Sequence, residues 1–528
     1  MTQKLTGLLD NLHSADARDK IVIKEGEELI KVNIMTSAVA LMYEKIRTII
    51  DYKEEHLLRK SAIFRILKRR FLESRDYFKI SENVVKELVS AGYLENNKYP
   101  QSKIIEVAKV VEKYDMLYSG VEEQKGLTTA LNLYDWILGI ASCEIEETLV
   151  PANKEKVFVR FMYEEMKNRL EIVSEKMTEE EKSLQLYLAV NRSLIKSDKP
   201  MLEFLILKLW HPDWQNDYQV FLPQFIDQIS KIKEDINKQI NHRLTNKLLG
   251  FCRRYATMIL ILRDVIYKEL KSAQSLTDDS KLLESKIREV CQEKYSITRR
   301  RLRTHIWRAI IYVFLTKMLL ALILEIPFDM YILHTFSWTA AIINITFPPL
   351  LMILIATTIR TPSEKNTQIM INGIEDLLSG KTGDMQYIRE IKKRNWFTWL
   401  LFNLVYLVSF IVPFALIIYF LYKIQFSWLS ILLFIVFASI VSFFGVRIRG
   451  MARELIVLKK RENITGEFFD FLTLPFIRMG RFLSLNFSRI NIFVFIFDFM
   501  IEAPLKIILQ AIEEWLAFFK EKKEDIFQ

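Results

Sequence analysis

The chain has 528 residues, 51% of them hydrophobic, with 14 glycines, 12 prolines and a net charge of +10. So few turn-formers exclude a strand-rich fold, and the length leaves room for two or three domains. The basic excess does not point to nucleic acid, because much of it flanks long apolar runs, where the positive-inside rule already accounts for it.

Residues 1–29 contain no apolar run of signal-peptide type and read as a flexible N-terminus. From 30 to 303 the pattern is a run of amphipathic helices forming a cytoplasmic domain. Ile80-Ser81-Glu82-Asn83-Val84-Val85 reads as a helix start with Ser81 as cap, and Gly92 with Asn96-Asn97 as its stop. Thr178-Glu179-Glu180-Glu181 has capping-box spacing. His211-Pro212-Asp213 is a break. Beyond it, Phe221, Phe225, Ile229, Ile232, Ile236, Ile240, Leu244 and Leu248 recur at three- and four-residue steps. That stripe is a bundle core or a coiled-coil seam for self-association. A helix from about Asp279 to Arg303 is expected to run into the first apolar span without a linker.

Four apolar stretches follow: Ile306–Ile326, Trp338–Ile359, Trp396–Tyr422 and Phe426–Val446. About 20 apolar residues in a helix cross a bilayer core of about 30 Å. These lengths predict two transmembrane hairpins, 304–359 and 395–446, in an all-α membrane protein. Arg299, Arg300, Arg301 and Arg303 precede the first span, and a basic 360–394 loop joins spans two and three. More arginines and lysines follow span four, whereas Pro327–Ser337 and Lys423–Gln425 carry one lysine between them. Basic flanks mark the cytoplasmic face, so both termini are expected in the cytoplasm, with anionic headgroups as partners of the basic residues.

Lys317 lies near the middle of the first span. A charge at that depth costs at least about 2.5–3.5 kcal/mol, so such residues usually face the bundle or water. Spans two to four contain no carboxylate, which leaves Asp498 and Glu502 of the tail as partners to consider. In the second span, Asn344 stands four residues before Pro348-Pro349, and Pro413 lies in the third. Proline removes a backbone donor and crowds the preceding turn, so kinks are expected at both places.

The tail, 447–528, reads as amphipathic helices on the membrane surface. Phe468–Asn486 carries Arg478 and Arg481 among phenylalanines, and Arg489 follows, a composition suited to anionic headgroups. No HExxH, GxSxG or phosphate-loop spacing occurs, and Gly373, Gly380 and Gly383 read as a surface loop. Cys143, Cys252 and Cys291 are too far apart for a zinc or disulfide framework. No cofactor or catalysis is therefore expected. The remaining classes are a membrane-anchored scaffold binding a protein partner through 30–303, or a channel or transporter needing a homo-oligomer to enclose its path.

Overall fold

The computed structural model describes residues 2–32, 54–71, 76–174, 177–215, 218–269, 279–334, 336–359, 362–380, 385–389, 396–457 and 464–489. Among these, helices dominate, as the scarcity of glycine and proline predicts. The front half begins with α1 (Thr2–Asp19), α2 (Glu55–Arg70), α3 (Tyr77–Ser90), α4 (Ser102–Lys125) and α5 (Leu127–Leu149). It continues with α6 (Asn153–Lys167), strand β1 (Leu170–Val173), α7 (Glu179–Leu194), α8 (Lys199–Trp210), α9 (Tyr218–Ile240) and α10 (Thr245–Lys268).

Two apolar cores organise these helices. Helices α2–α5, α8 and α9 enclose the first. Asp76 caps α3, its carboxylate accepting from Lys79 N at 3.0 Å. Ser81, the cap expected from the sequence, is instead buried one turn inside the helix. The Thr178 capping box forms at the start of α7, where both reciprocal hydrogen bonds are present. The long stripe divides between the cores. Phe225, Ile229, Ile236 and Ile240 of α9 face the first, whereas Leu244 and Leu248 face the second. The chain turns between Ile240 and Thr245, so the stripe fills the interior rather than running on as one seam. The Phe221 side chain lies outside the described residues.

The second core corrects two expectations. Residues 1–29 are not simply a flexible terminus, because α1 packs on α6 with Leu5, Leu8, Leu9, Leu12 and Ala15 buried. Those five recur at three- and four-residue steps, which makes one apolar helix face. The segment 360–394 is likewise more than a loop. After α11 (Ser280–Leu320) and α12 (Trp338–Thr357) comes α13 (Glu364–Ser379), which buries Met370, Ile371, Ile374, Leu377 and Leu378 in the same core. Strand β2 (Gln386–Arg389) then pairs in parallel with β1, Leu170 opposite Gln386. Gly373 and Gly380 thus sit within and at the end of α13, and Gly383 lies outside the described residues. Segments that are more than 150 residues apart in the chain build one domain.

Among the described residues, four helices are long and apolar enough to cross a membrane: the rod Ser280–Ile332, α12, α14 (Trp396–Lys423) and α15 (Trp428–Arg453). The first half of α11 buries Leu283, Ile287, Val290 and Cys291 in the second core and continues directly into apolar sequence, as expected. The chain returns to that core at α13 and again at Val457. Asn366 fastens the second return. Its amide donates to Leu455 O and Tyr295 Oη, both at 2.8 Å, and accepts from Val457 N at 2.8 Å. Thr257 Oγ1 adds a bond to Glu454 O at 3.0 Å.

Helix α16 (Ile464–Arg489) packs along α15 in the most extensive helix pairing of the described residues. Phe468–Asn486, expected from its composition to lie in the headgroup region, falls within this helix, which is docked on α14 and α15. Phe476 meets Phe414 with ring centroids 4.6 Å apart. Gly480 makes the close approach possible, since a Cβ there would lie 2.0 Å from Ser439 O. Gly480→Val is expected to weaken this docking by about 1–3 kcal/mol, the usual cost of overpacking. Limited proteolysis checks it: the variant should be cut after residue 457 faster than the parent, and equal rates would show that α16 is not held there. Residues 490–528, including Asp498, Glu502 and the second tail helix expected after Pro504, lie outside the described residues.

Candidate functional site: a buried polar cluster between the apolar helices

Lys317 has no exposed surface and projects from α11 into the space shared with α12 and α15. Its ammonium lies 3.1 Å from Glu325 Oε2 and 5.2 Å from the centre of the Phe437 ring. The other oxygen of Glu325 accepts from Ser430 Oγ at 2.6 Å and from Asn344 Nδ2. Asn344 also donates to Ser430 O at 3.2 Å. Asp329 completes the group, with Oδ2 3.3 Å from Ser430 Oγ. Three helices, the first contributing Lys317, Glu325 and Asp329, thus place two carboxylates, one ammonium, an amide and a hydroxyl together between apolar walls.

The local backbone explains how Lys317 reaches Glu325. In a regular α-helix a residue eight positions on lies about 80° around the axis. Here Ala321–Glu325 and Phe328–Ile332 form π turns. The i→i+5 closure of the first turns the chain less per residue between Lys317 and Glu325, which brings Glu325 back over Lys317. Pro327 lies between them, lacking an N–H and crowding the turn before it. The first apolar helix therefore extends to Ile332, beyond the expected end at Ile326, and Asp329 belongs to it rather than to a connecting loop.

The hydrogen-bond supply of the cluster is incomplete. Ser430 has one hydroxyl proton to give, and its shorter bond is to Glu325. Asp329 Oδ1 and Asn344 Oδ1 are buried with no hydrogen-bond partner among the described residues. Two carboxylates face one ammonium. Such a set has spare acceptor capacity for a proton or a small cation.

The helical domain supplies a contrast. Lys113 and Glu144 form an ion pair in the first core, both almost wholly buried. Lys113 also donates to Trp214 O at 3.1 Å, while Tyr114 Oη and Trp214 Nε1 serve the second oxygen of Glu144. Burial pushes the Lys113 ammonium below the usual lysine range, and Glu144 pulls it partly back. Both Glu144 oxygens have donors, so this pair needs nothing further.

The expected kink residues fare differently from one another. Asn344 is a member of the cluster, and Pro348 and Pro349 are buried beside it on α12. Helix α12 stays helical through both prolines and α14 through Pro413; the irregular turns lie in the first apolar helix instead. Arg299, Arg300, Arg301 and Arg303 are exposed on α11, just before its apolar half. Arg478 stacks on Tyr406, its guanidinium 4.8 Å from the ring centre, and Arg481 is exposed. The Arg489 side chain lies outside the described residues. Sequence reasoning missed Glu325, Asp329 and Ser430 as members of the site. Glu325 and Pro327 in one apolar stretch were the available signal.

No protein-family model, curated protein or solved structure matches the chain.

Proposed function

We propose that this chain is a multi-pass membrane-anchored interaction protein whose helical domain binds a protein partner, with no catalytic step of its own. The carrying observation is the continuity of α11, from the second core at Leu283 to the polar cluster at Lys317. A partner that displaces the helical domain moves the end of that rod within the bilayer, because α13 and Val457 fasten the same core to the other spans. The basic residues at the domain-side ends support a cytoplasmic side for this domain and for both termini.

Cysteine labelling tests the topology. Native Cys143, Cys252 and Cys291 are buried, and burial pushes the Cys252 thiol up to about 12 and the Cys291 thiol up to about 11, so their background is low. Ser379→Cys is expected to label only from the cytoplasm, and His334→Cys only from outside. Labelling of both from one face would overturn the two-hairpin arrangement. For the interaction itself, crosslinks from the full chain in membranes should fall on residues 54–269. Crosslinks confined to the spans would count against this reading.

The second reading, a channel or transporter, is favoured by the spare acceptors Asp329 Oδ1 and Asn344 Oδ1. Cation or proton flux in liposomes carrying the purified chain, abolished by Asp329→Asn, would establish it over the first.

A further inference from the structure

A cavity of ≈ 1970 Å³ opens where the helical domain meets the apolar helices. Pockets for drug-sized ligands run to about 300–1,000 Å³, so this one accommodates a larger molecule. Its two walls differ in chemistry. Nine cationic side chains and four carboxylates, from the helical domain and from the domain-side ends of α11 and α15, line one part of it. Three of those carboxylates are already engaged, Glu54 and Glu454 by Lys196 and Glu55 by Arg59. Arg253, Arg254, Arg301 and Arg453 line the cavity, are exposed, and form no ion pair among the described residues. The opposite wall is apolar, formed by Leu351, Leu354 and Ile355 of α12, Val446 of α15, and Leu474 and Ile477 of α16.

The order of these walls along the helices matches the depth profile of a bilayer. Arg301 precedes the apolar half of α11 and Arg453 ends α15, so these two guanidiniums sit at the ends of apolar helices, while Arg253 and Arg254 come from α10 of the helical domain. The apolar wall begins further inside. Arginine offers a planar fork of donors suited to phosphate oxygens. Basic pockets between membrane helices on the cytoplasmic side suit anionic headgroups.

We propose that this junction cavity seats an anionic membrane phospholipid, its phosphate held by Arg253, Arg254 and Arg301 and its acyl chains lying along α12, α15 and α16. Two of these arginines belong to the helical domain and not to any membrane flank. The lipid thereby bridges the domain and the spans, and its presence strengthens their docking. The inference rests on the membrane-protein reading above, yet topology labelling and lipid retention can fail separately.

The test uses the full chain in neutral detergent. Phosphatidylglycerol is titrated in mixed micelles, with phosphatidylcholine and glycerol 3-phosphate as comparison arms. Phosphatidylglycerol is expected to bind and to raise the thermal midpoint, phosphatidylcholine to do neither, and glycerol 3-phosphate not to compete. Arg253→Gln/Arg254→Gln should raise the phosphatidylglycerol Kd about tenfold or more. Arg243→Gln/Lys281→Gln, on exposed positions of the helical domain outside the cavity, should change it by less than about twofold. Leu474→Trp, which fills the acyl wall and leaves every arginine in place, should also weaken binding, so the outcome does not hang on one variant. An unchanged Kd in both cavity variants overturns the proposal. So does equal binding of phosphatidylcholine, or an equal loss in the Arg243/Lys281 pair, which would mean diffuse surface attraction. Competition by glycerol 3-phosphate at the same concentration would assign the arginines to a soluble phosphate instead.

Discussion

Glu325→Leu is expected to destabilise the detergent-solubilised protein by about 3–5 kcal/mol, the scale for breaking one side of a buried ion pair. The reason is what remains. With Glu325 gone, Lys317 keeps the face of the Phe437 ring as its neighbour among the described residues, in a place with no exposed surface. An ammonium left unpaired there bears its full desolvation cost. Lys317→Leu should cost less, because Glu325 retains donors in Ser430 and Asn344. The double variant Lys317→Leu/Glu325→Leu should be less damaged than the sum of the two, since it removes both charges together. The coupling should exceed about 0.5 kcal/mol, the scatter of independent sites. Thermal unfolding of the four proteins in one detergent measures it. Additive effects would show that Lys317 finds its compensation elsewhere, in which case tail carboxylates such as Asp498 regain interest.

Residues 1–298 expressed alone are expected to be helical by circular dichroism and yet poorly packed in one half. The first core, made by α2–α5, α8 and α9, is complete within that stretch. The second is not. It lacks Met370, Ile371, Ile374, Leu377 and Leu378 of α13, each at most 1% exposed in the whole chain. Burying one such side chain contributes about 1.5–3 kcal/mol. Five of them together rival the roughly 5–15 kcal/mol that a whole domain commands. The fragment should therefore bind a hydrophobic dye and self-associate, whereas a fusion of 1–298 through a glycine-serine linker to 362–389 should not. A monomeric fragment with a single cooperative transition and no dye binding would show that α13 is dispensable to the core.

The features legible in the sequence are those whose physics is local. Four long apolar runs announce helices able to cross a bilayer, because length and composition suffice for that. The capping box at Thr178 needs only four adjacent residues. The passage of α11 from amphipathic to apolar follows from the absence of any breaker between Asp279 and Leu320. Lys317 stood out for the cost of its charge, and Asn344 for its position before two prolines. Other features depended on partners distant in the chain. The face of α1 is apolar in the sequence, but α6 had to be brought against it before it became core. The segment between spans two and three shows basic residues locally, and only the assembled second core reveals α13 as its missing wall. The pairing of Lys317 with Glu325 was hidden for a geometric reason. Eight residues is the wrong spacing for one face of an α-helix, and it became the right one only through the π turn at Ala321–Glu325 and the donors that Asn344 and Ser430 bring from two other helices.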